Sequence, residues 1–181
     1  MSVPLSKIEV ASRQLNAAIH MFFAGGDSIA VHTLAAAAAN VFADILEHSS
    51  GVSWRTRARD DSGLTMSELK ALLHEEWNFF KHADRDPDSV LHFNEELAAD
   101  LMFMATLDCG DLTATSCEMR AFQIWYMAAA KFWVPSDHEP FRLAREALPG
   151  ISSLPRPEQI SRGAAFLAVQ CGNAPPAIFV S

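Results

Sequence analysis

Ser28-Ile29-Ala30-Val31-His32-Thr33-Leu34-Ala35-Ala36-Ala37-Ala38-Ala39-Asn40-Val41-Phe42-Ala43-Asp44-Ile45-Leu46 is the stretch whose reading decides the fold. Alanine has the strongest intrinsic helix propensity, and the run contains no glycine or proline to break a helix. Val31, Leu34, Ala38, Val41, Phe42 and Ile45 share one arc at 3.6 residues per turn. The opposite side is also apolar: Ile29, Ala36, Ala39 and Ala43, with His32 among them. A helix apolar on both sides is either central in its domain or shared with a second subunit. Asp27 is a suitable N-cap, so the pattern predicts a helix over 28–48.

Working outward, Ile8, Ala11, Leu15, Ile19 and Phe22 line one side of a helix predicted over 5–24. Gly25-Gly26 closes it, because glycine accepts the left-handed conformation of a C-cap. Residues 49–64 are polar, contain Gly51 and Gly63, and read as a loop. Arg55, Arg57 and Arg59 stand there at alternate positions, either gripping an anion or simply solvated. Thr65 or Ser67 opens a helix running to Ala83, broken by Asp86-Pro87. Further helices are predicted over 94–108, 115–134, 138–147 and 157–171, the last with Pro157 near its first turn. The 115–134 helix is apolar nearly all round and belongs in the middle of a bundle.

The expected fold is therefore all-α. It is a single compact bundle of five main helices plus shorter C-terminal ones, one domain over 1–181 with an apolar tail over 174–181. A chain of 181 residues, 50% hydrophobic and 20% charged, has the make-up of an ordinary globular domain with its own core. A net charge of −8 argues against broad nonspecific DNA or RNA binding, which needs a basic surface. No apolar run reads as membrane-spanning and no signal pattern opens the chain, so a cytoplasmic protein without membrane contact is expected. Cys109, Cys117 and Cys171 are odd in number and form no CxxC pair, which predicts three reduced thiols rather than a disulfide or a zinc site. P-loop, dinucleotide and serine-nucleophile patterns are missing.

The helix predicted over 65–83 carries the candidate chemistry. Met66, Leu69, Leu72, Leu73, Trp77 and Phe80 project onto a core face, with Glu76 inside the same arc. His74, Asn78 and His82 form an opposite stripe at i, i+4 and i+8, flanked by Lys81 and Arg85. Imidazoles near their ordinary pKa can give or take a proton at neutral pH, so His74, Asn78, Lys81, His82 and Arg85 are the candidate ligand-binding set. A carboxylate on an apolar arc must be paired, protonated or metal-bound, so Glu76 with His32 or His20 is the seed of a candidate metal site.

Two stretches carry a resemblance. Gly25-Gly26-Asp27 running into Ala30-Val31-His32-Thr33-Leu34-Ala35, and Asn78-Phe79-Phe80-Lys81-His82-Ala83-Asp84-Arg85-Asp86-Pro87, together resemble an uncharacterised bacterial all-helical protein family over residues 1–110. That likeness implies a helical fold and no particular activity. More distantly, Asn78 and His82 are similar to the polar residue and histidine of the R-N-x-x-x-H hallmark of the HEPN superfamily. Its members are small helical domains, often dimeric, and many are metal-independent RNA nucleases. Trp77 stands at the arginine position, and an indole cannot stabilise phosphate charge as a guanidinium does. The resemblance implies a HEPN-like module binding nucleotide, RNA or protein without confirmed catalysis. The alternatives are a metal-binding helical bundle and a non-enzymatic homodimer, with a small molecule, RNA or protein as ligand. In the homodimer, the alanine face of the 28–48 helix and the apolar tail would form the interface.

Overall fold

In the computed structural model, the described residues are 3–49, 51–73, 75–81, 87–129 and 138–172. Among them the chain forms nine α-helices, one 3-10 turn over Ile151–Ser153, and no strand. Helix α1 spans Lys7–Phe23 and α2 spans Ser28–His48. Ser6 and Glu9 form a reciprocal capping box at the start of α1. Gly25, at φ +67°, makes the turn between the two helices, and the Asp27 carboxylate then accepts the Ala30 N–H to start α2.

Helices α3 (Trp54–Ser62), α4 (Met66–Leu73) and α5 (Glu75–Lys81) follow, then α6 (Leu97–Leu112) and α7 (Cys117–Ala129). The last two are α8 (Glu139–Ala147) and α9 (Arg156–Gln170). Helices α1, α2, α6 and α7 build a four-helix core. Asn16 meets Ser116, and Phe22 and Phe23 meet Phe122 and Trp125, so α1 and α7 run in parallel. Helices α2 and α6 run the other way. Phe93, just before α6, touches His32 near the start of α2, while Asp108 near the end of α6 bonds Trp54 just after α2.

Helix α2 lies between α1 and α6. By length and apolarity alone it could cross a membrane, contrary to the sequence expectation that no run would. Packing on both sides explains its composition instead: Ala36, Ala39 and Ala43 are all buried within this chain. The central alternative for this helix holds, and the alanine face is not free to form a dimer interface. The apolar tail over 174–181 lies outside the described residues.

Two further expectations are corrected. Residues 54–62 are helical, not a loop, because Ser53 caps the Thr56 N–H and Gly63 closes the helix in the left-handed region. Each of the three arginines there holds a carboxylate of the chain: Arg55 with Asp44 and Glu47, Arg57 with Asp111, and Arg59 with Asp60. The thiols are not all reduced. Cys117 at the start of α7 and Cys171 at the end of α9 form a disulfide, their Cα atoms 5.7 Å apart. Only the antiparallel packing of α9 on α7 brings these positions together, and no spacing motif announces it. Cys109 remains a free buried thiol.

Gly163 lets α9 approach this closely. A Cβ there would fall 2.6 Å from Trp125 Cδ1 and closer still to the Phe23 ring. The Trp125 indole N–H donates to the Gln159 carbonyl at 2.8 Å, fixing the start of α9 against the aromatic cluster of Phe22, Phe23, Phe122 and Trp125.

Candidate functional site

The predicted 65–83 helix is described as α4 and α5. Asn78 and Lys81 are exposed on α5, as the projection requires of its outer stripe. The Lys81 ammonium sits over the Trp77 ring, and the water lost there draws its pKa below the usual lysine range. His74, His82 and Arg85 lie outside the described residues, so the stripe is placed only at Asn78 and Lys81.

The inner face of α5 meets α2. His32 is 1% exposed and lies edge-on to Phe80 and Phe93, at 5.7 and 5.4 Å between ring centroids. Neither of its ring nitrogens has a hydrogen-bond partner. Burial pushes the His32 pKa down, and the Glu76 carboxylate pulls weakly the other way. The Glu76 charge therefore reaches His32, one of the partners its place on the apolar arc suggested, without a hydrogen bond between them. His20 does not join them; it pairs with Glu118 at 3.6 Å. Among the described residues no group of three or more metal-ligating side chains converges, so Glu76, His32 and His20 form no metal cage.

A second constellation lies at the same end of the bundle. The start of α6, the end of α7 and the start of α9 enclose a cleft of about 490 Å³. Its size is that of ordinary small-molecule sites. Asn94, Glu96 and Asp100 line it from the α6 side, Tyr126 from α7, and Arg156 and Gln159 from α9. Ala99, Ala129 and Leu154 contribute apolar wall between them.

Asp100 falls in the apolar run Leu97-Ala98-Ala99-Asp100-Leu101-Met102, one turn into α6, and accepts the Tyr126 hydroxyl at 2.7 Å. Burial raises the Asp100 carboxyl above the usual range, opposed by that hydrogen bond and by the Arg156 charge. Burial and the neighbouring carboxylate both push the Tyr126 phenol upward, so the hydroxyl remains a donor. Phe103 stacks on the Tyr126 ring at 4.2 Å between centroids, which fixes the phenol's direction.

Arg156 is the first residue of α9. Its guanidinium carbon lies 5.0 Å from the Trp125 ring centroid and 5.6 Å from that of Phe22. One nitrogen donates to Gln159 Oε1 at 3.3 Å, while Gln159 Nε2 donates to the Leu154 carbonyl. The guanidinium is held by the ring faces and by a neutral amide, which leaves most of its fork for another partner.

None of these six polar residues belongs to the sequence-derived candidate set. Two signals point to them. Tyr126 is the single tyrosine of the chain, and Asp100 is a carboxylate inside an apolar helix, the same anomaly that singles out Glu76. Arg156 and Gln159 carry no such signal, because their role depends on where α9 docks. The chain matches no family model, no curated protein and no solved structure.

Proposed function

We propose that this helical domain is a small-molecule binding module whose site is the cleft between the starts of α6 and α9 and the end of α7. One observation carries the reading: the cleft combines apolar wall with groups of both charges that do not pair with one another. None of the ion pairs among the described residues includes Arg156, Glu96 or Asp100. Charged groups left with spare capacity around a concave apolar surface are what a ligand site requires.

The test is a fragment screen by protein-observed NMR on the full chain. Hits are expected to move the Trp125 indole, Gln159 and Arg156 signals together. Hits that map elsewhere, or none at all, would remove the reading.

A HEPN-like module acting on nucleotide, RNA or protein through Asn78, Lys81, His74, His82 and Arg85 is the second reading. The exposure of Asn78 and Lys81 supports it. Replacing His82 with Ala and finding unchanged RNA cleavage and unchanged toxicity in cells would eliminate its nuclease form. A metal-binding bundle is favoured only by the electrostatic influence of Glu76 on His32, and elemental analysis of untagged protein decides it. Homodimerisation would have to use surfaces other than the alanine face of α2, and light scattering at micromolar concentration reads it directly.

A further inference from the structure

We infer that the ligand class of the cleft is a small zwitterion of the amino-acid type, its carboxylate held by Arg156 and its ammonium by Glu96 and Asp100. This rests on the cleft being the binding site and goes further by naming what fills it.

The inference starts from how charge is distributed across the cleft. The α9 side presents one guanidinium, over the Trp125 and Phe22 rings and bonded among the described residues to the neutral Gln159 side chain. The α6 side presents two carboxylates. Glu96 is exposed, and Asp100 is half-buried with Tyr126 donating to it. Asp100 is electrostatically sensitive to both Glu96 and Arg156, so the three charges share one neighbourhood without making an ion pair.

A purely anionic ligand on Arg156 would lie against two carboxylates. A purely cationic ligand on the carboxylates would face the guanidinium. Either arrangement forfeits at one pole part of what it gains at the other. A ligand carrying both charges matches both poles at once. The guanidinium lies over the Trp125 and Phe22 rings and gives one nitrogen to Gln159, so its other N–H donors can meet one carboxylate. The Tyr126 hydroxyl and the Phe103 stack hold Asp100 in place, so little side-chain order is lost when an ammonium arrives. Ala99, Ala129 and Leu154 leave apolar room for the body of the molecule.

The experiment is isothermal titration calorimetry with two probe series. L-phenylalanine is compared with phenethylamine and 3-phenylpropionate, and L-norleucine with pentylamine and hexanoate. The expected result is that in at least one series the zwitterion binds about tenfold more tightly than either singly charged analogue, the contribution of one charge-assisted contact. Arg156→Met keeps apolar contact with Trp125 and should erase the preference for the zwitterion over the amine. Glu96→Gln combined with Asp100→Asn should erase the preference over the acid. Thermal unfolding of each variant establishes that it is folded.

Equal affinities across both series overturn the inference. So does undiminished zwitterion binding by Arg156→Met. If no probe binds while neutral fragments still map to the cleft, the zwitterion is wrong and the cleft stands. If no fragment maps there, both fall.

Discussion

The two ends of the bundle solve the burial of polar groups in opposite ways. At the end where α2 and α6 finish, protein satisfies nearly every polar group. Arg55 is 2% exposed, yet it donates to Asn40, Asp44 and Glu47. Ser53 donates to Glu47 and caps α3, and Asp108 accepts the Trp54 N–H at 2.8 Å. Asn16 accepts from Ser116, and the Cys117–Cys171 disulfide lies at the same end. Among the described residues, only the second Asp108 oxygen and the Trp54 indole nitrogen are buried there without a partner. At the other end His32 is buried with no hydrogen bond, while Arg156, Glu96 and Asp100 keep capacity unused. One end is built for stability and the other leaves interactions open, a division expected when a rigid scaffold carries a binding site.

The contrast can be broken most forcefully at the disulfide. The cystine closes a span of 54 residues, so the Cys117→Ser, Cys171→Ser pair should cost about 4 kcal/mol by the chain-entropy relation. Denaturant unfolding with and without reductant reads this, and a loss under about 1 kcal/mol would mean that packing alone holds this end. Next comes Arg55→Met, which strands Glu47 and Asp44 and empties part of a buried site. A loss of about 3 kcal/mol is expected. The cost stays below the upper range for buried pairs because Asp44 is 66% exposed and can be solvated.

One buried group at each end should also answer pH with opposite signs. Burial raises the Asp108 carboxyl from its ordinary 3.8 to about 6. Its share of stability is then complete below its unfolded pKa and is lost as pH rises through about 6. The ceiling is about 3 kcal/mol. Asp108→Asn should flatten that slope and stabilise the protein above neutrality. Asp100 contributes in the same direction and remains in the variant, so only the difference between variant and parent reports Asp108. His32 works the other way. Its folded pKa lies below the ordinary 6.5, so its share is present above that pH and drains away as pH falls towards the depressed value. His32→Leu should remove this acid sensitivity, read as hydrogen exchange of α5 amides at pH 5 against pH 7.5. Persistent acid loosening of α5 in that variant would assign the effect elsewhere.

The smallest effect is expected on the outer face of α5. Asn78→Ala should change stability by less than about 0.5 kcal/mol, because the side chain is exposed. A larger loss would mean that the stripe is structural.

Periodicity made the bundle legible because it records which side of a helix is covered. Helices α1, α2, α7, α8 and α9 begin within two residues of the expected positions. The α2 pattern left open whether a neighbour in the chain or a second subunit covers its alanine face, and packing of α1 and α6 answers that. Helix α3 is illegible from its own apolar pattern because, beyond its local caps, it is anchored by distant partners. Arg55 draws on α2 and the Trp54 N–H on α6, and neither partner is visible within the 54–62 window. Glu76 was legible as an anomaly on an apolar arc. Asp100 is the same anomaly in α6, and its hydrogen bond to Tyr126 spans 26 residues. Arg156 and Gln159 depend wholly on Gly163 letting α9 close onto Trp125, a relation that no pattern within α9 contains.

The disulfide also changes what cutting the chain would do. Residues 117–171 form a covalent ring that includes α7, α8 and α9. A single protease nick inside that ring leaves two pieces tied together, running at nearly full size until a reductant is added. The cleft draws Tyr126, Arg156 and Gln159 from the ring, so a nicked molecule would keep those side chains on one covalent frame. Cleavage outside the ring, between α2 and α6, has no such tether.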